Sequence, residues 1–101
     1  MGTSHKRKQQ SSYYKGISAE KKVKRNLEKK GWLVRQSKGS RGSYDLYALK
    51  GGMKLLIQVK SGTAYASKDE IRKLRKTAKN KGAKALVIQV KGKKTRSKFV
   101  Y

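Results

Sequence analysis

The chain predicts a mixed α/β domain, a small central sheet flanked by two helices in the order αβββαββ. Three observations predict it. Two stretches carry apolar residues at helical spacing, the stretches between them are short runs of apolar or alternating character, and glycines punctuate the boundaries. A length of 101 residues admits one hydrophobic core, so residues 16–101 read as a single domain and residues 1–15 as a basic, flexible arm.

In the first helix Ser18 can act as N-cap, Val23 and Leu27 form the apolar stripe with Ile17 just ahead, and Gly31 stops it. Trp32-Leu33-Val34 opens a strand that runs into a loop from Ser37 to Ser43. Tyr44 to Lys50 and Met53 to Lys60 read as two strands of a hairpin closed by Gly51-Gly52. Ser67 and Glu70 make the S-x-x-E capping box of the second helix, whose stripe is Ile71, Leu74 and Ala78 and whose end is Gly82. Ala85 to Val90 is the most apolar strand, and a short one from Lys98 to Tyr101 closes the order.

Composition narrows the function. Twenty-nine Lys and Arg stand against five Asp and Glu, a net charge of +24, which calls for a polyanionic partner and salt-dependent binding to nucleic acid. The absence of cysteine excludes disulfides and thiolate zinc sites, and the single His5 in a polar tail argues against histidine acid–base chemistry. Apolar runs such as Leu55-Leu56-Ile57 are far too short to span a membrane, and no secretory signal opens the sequence. The expected location is cytoplasmic, with the nucleoid or, for a viral chain, in the host cytoplasm. Candidate phosphate contacts are Lys6, Arg7 and Lys8 in the arm and Lys38, Ser40 and Arg41 in the glycine-containing loop, which is not a P-loop.

The five acids divide by their surroundings. Asp69 and Glu70 are accounted for by the capping box and helix dipole, and Glu28 by an i,i+4 pair with Lys24. Glu20 is different: three residues before Val23 and seven before Leu27, it falls on the apolar face of its helix. Asp45 is the other exception. Opposed residues across the Gly51-Gly52 turn sum to 103, which sets Asp45 opposite Gln58, with Lys60 on the same face and Leu46, Ala48, Leu55, Ile57 and Val59 on the other. An ion pair with a neighbouring lysine would also accommodate either acid. The cluster as a whole fits metal-assisted phosphodiester hydrolysis. Asp45, the Gln58 amide oxygen, the Val59 carbonyl and Glu20 would hold Mg²⁺, with Mn²⁺ as substitute, and Lys60 would orient water or stabilise phosphorane-like charge.

Asp45, the Gln58-Val59-Lys60 triplet after a hairpin, and Glu20 on the leading helix together resemble the PD-(D/E)XK nuclease superfamily. Within it, Gly16-Ile17-Ser18-Ala19-Glu20, Gly31-Trp32 and Ser40-Arg41-Gly42 ahead of Asp45-Leu46 are most similar to archaeal-type Holliday junction resolvases. The resemblance implies a restriction-endonuclease-like fold and a metal-dependent endonuclease acting as a homodimer on four-way or branched DNA. It also implies Glu20, Asp45 and Gln58 as ligands, Lys60 as catalytic, and Ser40 and Arg41 near the scissile strand. Most members carry Glu or Asp where this chain has Gln58, which removes a negative charge and implies weaker metal affinity. A site-specific or nicking enzyme of the same superfamily, or a non-enzymatic nucleic-acid-binding protein with a dead site, are the alternatives.

Overall fold

The computed structural model describes residues 12–37 and 43–101. Helix α1 (Ser12–Lys29), strands β1 (Leu33–Gln36), β2 (Leu46–Lys50) and β3 (Met53–Ser61), helix α2 (Lys68–Lys81), and strands β4 (Lys84–Lys91) and β5 (Lys94–Phe99) follow in the expected order. One five-stranded sheet runs β1-β2-β3-β4-β5, antiparallel except for the β3–β4 pair. Parallel neighbours need a crossover connection, and α2 is that crossover.

The β2–β3 hairpin turns through Gly51 and Gly52 at φ 54° and 83°. Two successive residues at positive φ are what a tight hairpin requires and what side chains resist. The turn sets the register Lys50↔Met53 through Leu46↔Ile57, the predicted sum of 103. Alternation along β3 then separates two cores. Leu46, Ala48, Leu55, Ile57, Val59, Leu86, Ile88 and Val90 gather under Ala19 and Val23 of α1, while Leu56 and Ala85 gather under Leu74 and Ala78 of α2. Leu55 to Val59 are buried without interruption, as befits a central strand covered on both faces.

Two boundaries differ from expectation by more than two residues. Helix α1 begins at Ser12, so Ser18 lies inside it and is not an N-cap. A single Gly16 costs a helix only about 1 kcal/mol, too little to stop it where packing continues. The last strand starts at Lys94, not Lys98, because the chain reverses at Gly92 and pairs from Lys91↔Lys94 onward. Beyond Phe99 the pairing extends to a bond from the Val100 N–H to the Ala85 carbonyl (2.8 Å). β5 is an exposed edge whose Lys94, Arg96 and Lys98 discourage another strand from joining it. None of the described helices is long and apolar enough to cross a membrane.

Candidate active site

Asp45 stands one residue ahead of β2, clamped between two strands. Its carbonyl accepts from the Ser37 N–H (2.9 Å) and its N–H donates to the Ile57 carbonyl (2.8 Å). The second bond is one residue out of step with the hairpin ladder, so Asp45 does not pair squarely with Gln58. The slip instead brings the Asp45 carboxylate, through Oδ2, onto the backbone N–H of Val59 (2.7 Å). Upstream, the Ser43 hydroxyl donates to Thr77 on α2 (2.7 Å), which anchors the end of the preceding loop.

Gln58 and Lys60 share a face of β3, as expected, but that face is the one α2 covers. Their partner is an acid that the sequence pattern assigns wholly to capping. Glu70 Oε2 accepts from Lys60 Nζ at 2.8 Å and from Gln58 Nε2 at 3.2 Å. The other oxygen, Oε1, accepts from the Ser67 N–H at 2.9 Å, and the Ser67 Oγ in turn accepts from the Glu70 N–H, so the predicted capping box is present too. Sequence reasoning misses Glu70 because the S-x-x-E pattern already gives it a complete explanation. The available signal is the short connection through residues 62–67, which returns the first turn of α2 to the carboxyl end of β3.

Gln58 is only 9% exposed, and its Oε1 is buried with no hydrogen-bond partner among the described residues. Leaving such an oxygen unmet costs about 1–3 kcal/mol. Glu70 holds the amide nitrogen, so this oxygen is the donor atom the site keeps free.

Glu20 arrives from the opposite side. α1 lies on the Leu46/Ile57 face, with Ala19 and Val23 buried and Glu20 half-buried beside them. It therefore does not share the Gln58–Lys60 face, and approaches the end of the sheet near Asp45. Burial raises the Glu20 pKa above its ordinary value, and the Asp45 charge raises it further. Asp45 is raised as well: desolvation outweighs the Val59 N–H bond and the Lys60 charge, and Glu70 adds to the rise. Glu70 is lowered, chiefly by its hydrogen bond from Lys60 and then by the Ser67 N–H. Glu28 and Asp69 stand apart, in local pairs with Lys24 (3.5 Å) and Arg72 (3.4 Å). Asp45 is thus coupled to both Glu20 and Glu70, and Glu20 and Asp45 sit where the charged form is less favourable than in water.

Among the described residues no three His, Cys, Asp or Glu side chains are gathered closely enough to enclose an ion by themselves. An ion held here needs the neutral oxygens as well. The free Gln58 Oε1 meets that need, and an all-oxygen set of carboxylates, amide and carbonyl suits a hard divalent cation. The donor set fits.

Lys6, Arg7, Lys8, Lys38, Ser40 and Arg41 lie outside the described residues. A second cationic feature is described. Past the carboxyl ends of β3 and β4 opens a cleft of about 530 Å³ lined by Tyr65, Gln89, Lys91, Lys93, Lys94 and Arg96, with no acid among the described residues of its wall. Gln89 Nε2 shapes its floor by donating to the carbonyls of Gly62 (2.8 Å) and Ala64 (3.2 Å). Tyr65, 79% exposed, offers a ring for stacking.

Comparison with known proteins points the same way. Residues 18–101 match a PD-(D/E)XK superfamily domain. Over 65 residues the chain is 42% identical to the crossover junction endodeoxyribonuclease Hjc of Methanocaldococcus jannaschii, a match covering 61% of this chain and 48% of that protein. The match thus spans about half the length of the relative. Among solved structures, Archaeoglobus fulgidus Hjc, a Holliday junction resolvase from an archaeal hyperthermophile, superposes with a TM-score of 0.77 at 29% identity, over 85% of this chain and 73% of that one.

Proposed function

This chain belongs to the PD-(D/E)XK superfamily, and on that premise we propose that it is a Mg²⁺-dependent endodeoxyribonuclease that resolves four-way DNA junctions as a homodimer in the cytoplasm. Nucleases of this superfamily generally use divalent metal ions. The observation that carries the reading is the convergence of Asp45, Lys60 and the Gln58 oxygen that lacks a partner among the described residues at one end of the sheet, with Glu20 electrostatically coupled to Asp45.

Asp45, Gln58 Oε1, the Val59 carbonyl and Glu20, directly or through water, would hold the ion. When bound, it would polarise the scissile phosphate and acidify a water molecule. The remaining work belongs to the chain's own groups. The Val59 N–H fixes one Asp45 oxygen and leaves the other available. Lys60, kept in place by Glu70, presents a cation where negative charge builds on the phosphate oxygens. The cleft of Lys91, Lys93, Lys94 and Arg96 gives the backbone of a DNA arm a place to lie beside the reacting strand. Two copies related by a two-fold axis would present two such sites to symmetrically related strands.

A labelled four-way junction incubated with the protein and Mg²⁺ should yield paired, symmetric nicks. Asp45→Ala should abolish the nicks and leave junction binding in EDTA within about twofold of wild type. Linear duplex cut as fast as the junction would favour a site-specific or nicking enzyme. Loss of binding together with cutting would assign Asp45 a structural role.

A further inference from the structure

We propose that Glu70 supplies the negative charge that Gln58 lacks, and that it is the positioning residue for both Gln58 and Lys60. The inference deepens the nuclease reading and rests on it.

Capping requires one Glu70 oxygen, and Oε1 provides it to the Ser67 N–H. A glutamine at this third helical position would cap as well. What capping does not require is the formal charge and the second oxygen. Oε2 takes two donors from adjacent same-face positions of β3, Lys60 Nζ at 2.8 Å and Gln58 Nε2 at 3.2 Å. The second bond decides which end of the Gln58 amide is committed: with nitrogen on Glu70, the buried oxygen is left without a partner among the described residues. A nine-tenths-buried, unsatisfied oxygen beside a carboxylate that is itself coupled to Asp45 is a cation-binding arrangement completed by two residues. Gln58 contributes the oxygen and Glu70 the charge. The same carboxylate holds Lys60 and opposes the repulsion that a cation in the site would exert on that ammonium.

The pair can therefore be exchanged. In Q58E/E70Q the carboxylate moves to β3 and the amide to α2. The amide nitrogen on α2 can then donate to the carboxylate on β3, while the amide oxygen still accepts from the Ser67 N–H. Single E70Q places amide donors against amide and ammonium donors or gives up the cap, and leaves the site one charge short.

The test measures Mn²⁺ binding by titration calorimetry, together with junction cutting, for the full chain and for E70Q, Q58E/E70Q and D45N. Circular dichroism and junction binding in EDTA serve as fold controls. Expected are at least tenfold weaker Mn²⁺ binding and slower cutting by E70Q, recovery of both to within threefold of wild type in Q58E/E70Q, and loss in D45N. Wild-type Mn²⁺ affinity in E70Q, alongside loss in D45N, would overturn the role of Glu70 and leave the nuclease reading standing. So would failure of the exchange to rescue a folded E70Q. No Mn²⁺ binding by the wild-type chain would overturn both.

Discussion

The two faces of the sheet do different work although they are built from the same strands. Under α1 the centre of the sheet is apolar: Leu46, Ala48, Leu55, Ile57, Val59, Leu86, Ile88 and Val90 form one continuous patch, and polar side chains such as Gln36, Thr95 and Ser97 come in only on the outer strands. Under α2 the apolar patch is smaller, centred on Leu56, Leu74, Ala78 and Ala85, and it gives way to Gln58, Lys60 and Glu70 at one end. β3 belongs to both faces, residue by residue. Its odd positions anchor the sheet on α1, and its even positions past Leu56 carry the reactive groups. A central strand buried on both sides cannot shift its register without moving every group to the wrong face, so the dry core holds the polar cluster in place.

That division is sharpest if its halves can be damaged separately. Leu86→Ala, on the α1 face and away from the cluster, should cost about 2–5 kcal/mol in urea unfolding, the range for a buried Leu cut to Ala. Junction cutting per folded molecule should stay within about twofold of wild type. Lys60→Met, which keeps most of the side-chain stem, should do the opposite. Cutting should fall by roughly 10²–10³ for loss of one stabilising group at the phosphate, while stability changes by about 1 kcal/mol or less, the scale of a partly exposed ion pair. Equal losses of activity per folded molecule in both variants would mean that the faces are not separate.

The alternation that creates this division is legible in the sequence. Gly51-Gly52 specifies a two-residue turn, the turn specifies the register, and the register sorts Leu55, Ile57 and Val59 from Leu56, Gln58 and Lys60. What cannot be read is which helix lies on which face. An amphipathic stripe says that a helix has an apolar side, and is silent on the sheet surface that side will meet. The sequence therefore suggests Glu20 beside Gln58 and Lys60, whereas the β3–α2–β4 crossover gives that face to α2 and its Glu70. The slip at Asp45 is equally hidden, because a turn controls register along the paired strands and not past their end. Glu70 escapes notice for a different reason: one of its oxygens satisfies a local pattern so well that nothing in the sequence draws attention to the second.

The smallest effect, and the most specific to the polar end, lies in the pH dependence of stability. Glu20 and Asp45 have folded-state pKa values above their ordinary 4.5 and 3.8, so over that interval the folded chain binds more protons than the unfolded one. Stability from these two groups therefore falls as pH rises from about 4 through their raised values, because folding forces charge where solvent is scarce. Glu70, lowered from 4.5, works in the other direction: its contribution is present above that value and is lost as pH falls through its depressed one. Replacing Glu20 with Gln removes a penalty and leaves Glu70 intact. Relative to wild type, E20Q should thus gain stability as pH is raised from about 4 toward 7 in EDTA, measured by urea midpoint at each pH. Mn²⁺ at a hundred times its dissociation constant should reverse that order at neutral pH, because a cation bound only to the folded chain adds about 2.7 kcal/mol to wild type and less to a variant that has lost a ligand. No such gain on the EDTA arm would mean that Glu20 is solvated and outside the polar end, whereas E20Q remaining ahead in Mn²⁺ would place the ion's ligands elsewhere.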